Sequence, residues 1–272
     1  MTTTLIGESS LSPFIRAQHY ERGTDAFTLT VVVPAYNETA RLARSLPVLL
    51  DHLQARPESC RVLVVDDGST DGTADAVRAL MPARPELDLI SLARQQGKGA
   101  AVRVGMLASH SDVIGFMDAD LSTSLAHIDQ AVTKLERGSD VVIGSRALPS
   151  SHTVTAQPPY RRLGARVFRE ITRVIGAVPN TPDAQCGFKL FRGAVAHDLF
   201  ASSVIDRWMF DLEILRLALH RNYKVSQIPV KWTNDPDSRL RLTLDTLRMV
   251  RDLARIRWRF WMGRYDNSQR TP

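Results

Sequence analysis

The sequence predicts an α/β protein with a mostly parallel central sheet, helices on both faces and a basic, amphipathic C-terminal helix. Three observations carry this. Short apolar, β-branched runs alternate with helical stripes from Thr30 to Gly144, with brief turns between them. Several of these runs end in polar or acidic groups, and in open α/β sheets ligands bind beyond the carboxyl ends of the strands. The positive charge is also concentrated. Between Arg239 and Arg264, eight arginines face Asp245 and Asp252, a surplus equal to the net +6 of the whole chain. Such a basic end points to an anionic surface as partner.

Residues 1–27 are polar and aperiodic and read as an extension. Thr30–Val33 is a β-branched strand stopped by Pro34. Leucines at 42, 46, 49, 50 and 53 mark a helix over 38–54. Strands follow at 60–65, 87–92, 113–118 and 140–144, separated by helices at 73–80, from 97 to about 110, and at 124–136. The rhythm then loosens. A Pro/Ser/Thr-rich loop covers 147–159, a basic helix 160–177, a turn 180–183, a strand 186–191, a helix 209–221, a strand 224–232 and a long helix 240–262. The expected division is an extension (1–27), a catalytic domain (28–238) and a basic helix with tail (239–272).

With 272 residues, 44% hydrophobic and 24% charged, the chain is long enough to bury a sizeable core and ordinary for a globular protein. No apolar run approaches the ~20 residues that span a bilayer, and residues 1–25 lack a basic start followed by an apolar block. Cys60 and Cys186 match no metal spacing and read as reduced thiols of a cytosolic protein.

The chemistry centres on Val113-Ile-Gly-Phe-Met-Asp118-Ala-Asp120, a buried-strand run ending in two carboxylates. Strand alternation would put both on one side of the backbone, where hard oxygen ligands with open positions suit Mg²⁺ or Mn²⁺ bound together with substrate phosphates. A helix cap is the plainer reading of the same aspartates. Pro34-Ala-Tyr36-Asn-Glu38 and Asp66-Asp67-Gly68-Ser69 end neighbouring strands, so all three should meet in one crevice. Tyr36 could pack on a nucleotide base, and carboxylates accept from base N–H groups and ribose hydroxyls. Lys98, between Gly97 and Gly99 at a helix start, suits a diphosphate. This is no Walker motif, and no G-x-G-x-x-G follows the first strand. A phosphoryl-accepting receiver domain would end after about five strands, but this chain continues well beyond that.

Val32-Val-Pro-Ala-Tyr-Asn-Glu38, Val64-Val-Asp-Asp-Gly-Ser-Thr-Asp-Gly-Thr73, Gly97-Lys-Gly99, Asp118-Ala-Asp120 and Gly144-Ser-Arg146 resemble, in order and spacing, the inverting family 2 glycosyltransferases of GT-A fold. Asp183-Ala-Gln-Cys-Gly-Phe-Lys-Leu-Phe191, Arg207-Trp-Met-Phe-Asp211-Leu-Glu213 and Val230-Lys-Trp-Thr233 resemble the branch of dolichyl-phosphate glucosyltransferases and their bacterial polyprenyl-phosphate relatives. The resemblance implies that Pro34, Tyr36, Glu38 and Asp67, with Val65, hold the nucleotide, and that Lys98, Asp118, Ala119 and Asp120 meet the diphosphate and its metal. Arg146 matches an arginine near the transferred phosphate groups, and Arg161 and Arg162 fall where relatives carry basic residues for the acceptor phosphate. Arg239, heading the basic segment, joins them as an expected acceptor contact. Ser122 stands where mannose-transferring relatives carry Gln, and Ala184 where relatives carry Thr.

Inverting transfer needs in-line attack on the anomeric carbon as the nucleoside diphosphate leaves. A hydroxyl acceptor also needs a base. A phosphate monoester, with a second pKa of about 6, is already largely dianionic at neutral pH and needs cationic positioning instead, which Arg146, Arg161, Arg162 and Lys189 could supply. Asp183 is the base candidate for a hydroxyl acceptor; for a phosphate it orients Lys189 or an arginine, and an Asx-turn after Pro182 is the plain alternative. Trp208, Phe210 and Asp211 read equally as a packed, capped helix start and as a sugar or acceptor contact.

In the C-terminal helix, Arg241, Arg248, Arg251, Arg255 and Arg259 with Asp245 and Asp252 form a polar sector beside a stripe of Leu247, Val250, Trp258 and Trp261; Met249, Leu253, Ile256 and Phe260 continue the apolar surface. Such a helix can lie in a membrane interface or pack on the catalytic domain. No nucleic-acid motif accompanies the arginines. The expectation is therefore a metal-dependent enzyme moving a hexose, glucose by resemblance, from UDP-glucose to a polyprenyl or dolichyl phosphate, peripherally at the cytosolic membrane face and with an oligomer left open. The alternatives are a soluble hydroxyl acceptor, mannose from GDP-mannose, or a non-catalytic sugar-nucleotide-binding module.

Overall fold

The structure is a computed structural model and describes residues 27–153, 183–233 and 242–266. Arg161, Arg162 and Arg239, the helix expected at 160–177 and the extension up to residue 26 lie outside the described residues.

The chain runs β1 (Thr28–Ala35), α1 (Thr39–Gln54), β2 (Ser59–Asp66), α2 (Thr73–Leu80), β3 (Leu87–Ser91), α3 (Lys98–Ala108), β4 (Val113–Met117), α4 (His127–Glu136), β5 (Val141–Ser145) and β6 (His152–Thr153). It continues with β7 (Phe188–Arg192), α5 (Gly193–Ser202), α6 (Phe210–His220), β8 (Val225–Pro229), β9 (Lys231–Trp232) and α7 (Leu242–Trp261). Among the described residues, seven strands form one sheet in the order β3-β2-β1-β4-β7-β5-β8. All neighbours are parallel except β7, which runs antiparallel to both β4 and β5. β6 and β9 make a small parallel pair.

Side-chain alternation along β1 sends Val31 and Val33 to one face and Val32 to the other. Val31 and Val33 join the α1 leucines 42, 46, 49, 50 and 53 and the α4 residues Ile128, Ala131, Val132 and Leu135. Val32 joins Ala101, Val102 and Met106 of α3, Leu199 and Phe200 of α5, Phe210 and Ile214 of α6, and Met249, Leu253 and Ile256 of α7. The C-terminal helix thus buries one stripe in the main core.

Pro34 does not stop β1, contrary to expectation. β4 pairs with β1 only from Leu29 to Val32, so Pro34 lies beyond that ladder, where its missing N–H costs little. α5 was not foreseen, and the strand expected over 224–232 is split at Val230, with β8 in the main sheet and β9 in the small one.

Candidate active site

β4 delivers Asp118 one residue past its end, beside the start of β7. The Asp118 N–H donates to the Gly187 carbonyl at 3.1 Å. The carboxylate lies directly over Gly187: a Cβ there would sit 1.9 Å from Oδ2. Only glycine admits that approach. Because the strand ends at Met117, Asp118 and Asp120 belong to a turn, closed by Leu121 N–H donating to the Asp118 carbonyl at 3.1 Å. Contrary to expectation, strand alternation therefore does not align the two carboxylates; the turn places them, with Leu121 at φ 49° and Asp120 Oδ1 accepting from Ser122 N–H at 2.9 Å.

Lys98 meets them from the start of α3. Its Nζ donates to Asp118 Oδ1 at 2.5 Å. Burial alone would weaken the charged form, but the fields of Asp118, Asp211 and Asp120 outweigh it and hold the Lys98 pKa above its ordinary value. The flanking glycines let α3 press onto the segment before α6: a Cβ on Gly97 would meet the Asp206 carbonyl oxygen at 2.4 Å, and one on Gly99 the Ile205 oxygen at 2.6 Å. The same contact brings the Trp208 ring to 5.7 Å from Lys98 Nζ. Asp67, beyond β2, accepts from Gln96 N–H at 2.7 Å and Gly97 N–H at 2.8 Å and so sets the entry to α3. Burial pushes its pKa up against these bonds.

Past β5, Arg146 and Asp183 form a clamp. Arg146 Nε donates to Oδ2 at 2.7 Å, Nη2 to Oδ1 at 2.8 Å, and the Arg146 backbone N–H to Oδ2 at 2.8 Å. The guanidinium lies 5.4 Å from the centre of the Trp232 ring. Burial would raise the Asp183 pKa, but the Arg146 bonds and charge prevail and lower it. Behind the crevice, Lys189 Nζ donates to Asp211 Oδ1 at 2.6 Å and to the Cys186 carbonyl at 2.7 Å.

The geometry brings Lys98, Asp118 and Asp120 together and sets Asp67 beside the entry to α3. It corrects the expectation for Lys189: the side chain is 0% exposed, so it sits under the site, paired with Asp211, and cannot touch an acceptor phosphate directly. Val65 is fully buried in the core, so its side chain is not offered to a nucleotide either. The Ala119 carbonyl accepts from Ser45 Oγ at 2.6 Å. Glu38 binds Arg41 at 2.9 Å, while Pro34 and Tyr36 are half-buried at the end of β1. Sequence reasoning missed the Gly187 cradle and the engagement of Arg146 by Trp232. Glycine within Cys186-Gly-Phe188 was the available signal.

Two aspartates from one strand-end turn are a fitting donor set for a hard divalent cation shared with phosphate oxygens. Among the described residues, no cluster of three or more His, Cys, Asp or Glu forms a self-sufficient metal cage.

Acidic, lysine and arginine side chains thus gather beyond the strand ends of this sheet, where the resemblance to GT-A glycosyltransferases places a donor site. The fold matches glucosyl-3-phosphoglycerate synthase from Mycobacterium tuberculosis, crystallised with Mn²⁺, UDP and phosphoglyceric acid, at TM-score 0.59 and 18% identity over 90% of this chain and 80% of that one. Residues 30–200 match the model of Glycosyl transferase family 2. The dolichyl-phosphate β-glucosyltransferase of Dictyostelium discoideum is 33% identical over 251 residues, 88% of this chain and 76% of that protein. Its namesake from Homo sapiens is 32% identical, covering 89% and 78%. The chain belongs to glycosyl transferase family 2.

Proposed function

We propose that this glycosyltransferase moves glucose, with inversion, from UDP-glucose to a polyprenyl or dolichyl phosphate, acting as a peripheral protein at the cytosolic membrane face. One phosphate oxygen of the acceptor forms a bond to the anomeric carbon as that carbon's bond to the diphosphate oxygen breaks, and the electron pair leaves with UDP. Asp118 and Asp120 would hold a Mg²⁺ or Mn²⁺ that neutralises charge on the leaving diphosphate. Lys98 supplies a fixed cation beside them. Asp67 orders the Gln96–Gly97 backbone that leads into Lys98.

The observation that carries the acceptor class is the commitment of Asp183. A carboxylate chelated by a guanidinium and held below its usual pKa range is a poor base. It is a good orienter of Arg146, and an oriented arginine is what a phosphate nucleophile requires. The names of the relatives agree with that acceptor. Arg161, Arg162 and Arg239 remain candidate acceptor contacts.

The test is transfer of labelled glucose from UDP-glucose to polyprenyl phosphate with Mg²⁺ or Mn²⁺, with the anomeric configuration of the product determined. Full activity in the double variant Asp118→Ala, Asp120→Ala would sink this mechanism. A turnover requirement for a hydroxyl acceptor, abolished by Asp183→Asn, would replace the acceptor class.

A further inference from the structure

The outer face of α7 takes no part in the site. Its inner face is settled: Met249, Leu253 and Ile256 are buried in the core. Asp252 is buried too, and Arg259 is half-buried with its guanidinium over the Tyr265 ring. Neither belongs to a solvated polar sector, as the helical wheel alone had implied. The opposite side carries Leu247, 73% exposed, and Trp261, 81% exposed, with Val250, Trp258 and Met262 also exposed. At 100° per residue these five occupy a sector of roughly 120°. Arg255 borders it on one side and Arg257 on the other, and Arg251 lies within it between Trp258 and Met262, all three exposed.

We propose that this face docks α7 flat onto an anionic bilayer surface, the tryptophans and aliphatic side chains entering the headgroup boundary and the arginines meeting lipid phosphates. The proposal deepens the function above and rests on it for the reason a bilayer is visited. Charge selects the occupant. Two copies of the chain pairing through this face would oppose like rows of arginine, whereas anionic headgroups complement them. No helix among the described residues is long and apolar enough to cross a membrane.

The helix is also tied to the site. The Tyr265 hydroxyl donates to Glu213, whose carboxylate accepts from Val204 N–H and Ile205 N–H. These residues open the segment that packs on Gly99 and carries Trp208 to Lys98. Docking through α7 therefore fixes how the crevice faces the lipid surface.

The test is co-sedimentation of the full chain with phosphatidylcholine vesicles and with mixed phosphatidylcholine–phosphatidylglycerol vesicles, free of polyprenyl phosphate and donor. Binding to the mixed vesicles is expected with a blue shift of tryptophan fluorescence. Affinity should fall about tenfold or more both in Leu247→Ser, Trp261→Ser and in Arg251→Gln, Arg255→Gln. Leu247 and Trp261 are exposed, so circular dichroism and thermal unfolding of the apolar variant should remain those of the parent. The arginine variant should keep the parent's circular dichroism with a modestly lower midpoint, because Arg251 and Arg255 also offset the charge of the buried Asp252. Failure of the parent to bind anionic vesicles, or undiminished binding by either double variant, overturns the proposal. So does a parent dimer in lipid-free solution that the apolar variant converts to monomer without loss of vesicle binding. The two readings separate cleanly. Intact vesicle binding without glucosyl transfer would fail the enzymatic assignment alone. Transfer to a short-chain, water-soluble polyprenyl phosphate should survive the apolar double variant, while transfer to a vesicle-embedded acceptor falls.

Discussion

Replacing Gly187 by alanine isolates the geometry of one carboxylate. The added Cβ would stand 1.9 Å from Asp118 Oδ2 and 2.3 Å from its Cγ. Ordinary contact requires the carboxylate to retreat by roughly 1.5 Å or more. Gly187 is absent from the positive-φ glycines, so alanine brings no backbone strain of its own. The Asp118 side chain is 36% exposed and can swing away without unpacking the core. A misplacement of about 1 Å costs on the order of 10²-fold in rate, so kcat/KM for glucosyl transfer should fall by about two orders of magnitude. The thermal midpoint without ligand should drop by no more than a few degrees, about 1 kcal/mol for a chain of this size. The assays are initial rates against UDP-glucose and thermal unfolding with and without UDP plus Mn²⁺, since ligand stabilisation follows donor binding. Activity and UDP–Mn²⁺ stabilisation near those of the parent would refute the reasoning. A collapsed midpoint would refute it too, by showing that the backbone moved instead of the carboxylate.

Lys98→Ala removes the cation 2.5 Å from Asp118 and should lower kcat by about 10²-fold or more, read by steady-state kinetics at saturating donor. Asp183→Asn weakens the Arg146 clamp and should reduce turnover while preserving the shape of the pH–rate profile; loss of its acid limb would mark Asp183 as a base. The lowered Asp183 pKa also links to stability: its contribution is present above the unfolded-state carboxylate pKa and is lost as pH falls through the lower folded value. Thermal midpoints measured below about pH 4 should therefore decline less steeply in Asp183→Asn than in the parent. Tyr265→Phe leaves the buried Glu213 carboxylate one donor short and should cost about 1–3 kcal/mol, measured as a lower urea midpoint with an unchanged slope.

The first half of the fold was legible because each strand and helix there carries its own period. The α1 leucines 42, 46, 49, 50 and 53 are all buried, and α2 spans the expected 73–80. The direction of β7 was not legible, since an apolar run such as Phe188–Phe191 is the same read either way; its antiparallel pairing with β4 and β5 is set by tertiary packing. That pairing is also what carries Gly187 under Asp118. The candidate side chains expected beyond β1, β2 and β4 do lie at one edge of the sheet, because these three strands pair in parallel. Lys189 was misread because a lysine in a motif reads as an exposed cation. Its neighbours on β7 sit between two buried strands, and Asp211 lies inside to receive it. α7 showed two apolar stripes, and periodicity cannot say which faces inward.

Charge makes the site's design intelligible. Lys98, Lys189 and Arg146 stand against Asp118, Asp120, Asp183 and Asp211, so these seven side chains carry by count one more negative charge than positive, while Asp67 lies in the field of Arg207. A bare diphosphate entering among these seven meets net repulsion. Two of the four carboxylates, Asp183 and Asp211, are already committed to Arg146 and Lys189, and the other two stand together beside Lys98. A divalent cation at that pair turns the balance positive, which suits a donor diphosphate and an acceptor phosphate held close together. A hydroxyl acceptor would bring no charge to offset and would ask for a base that Asp183 is too tightly held to provide. The pairing of Asp183 with Arg146 and the two-carboxylate turn after β4 thus support the same reaction: phosphate as nucleophile and diphosphate as leaving group.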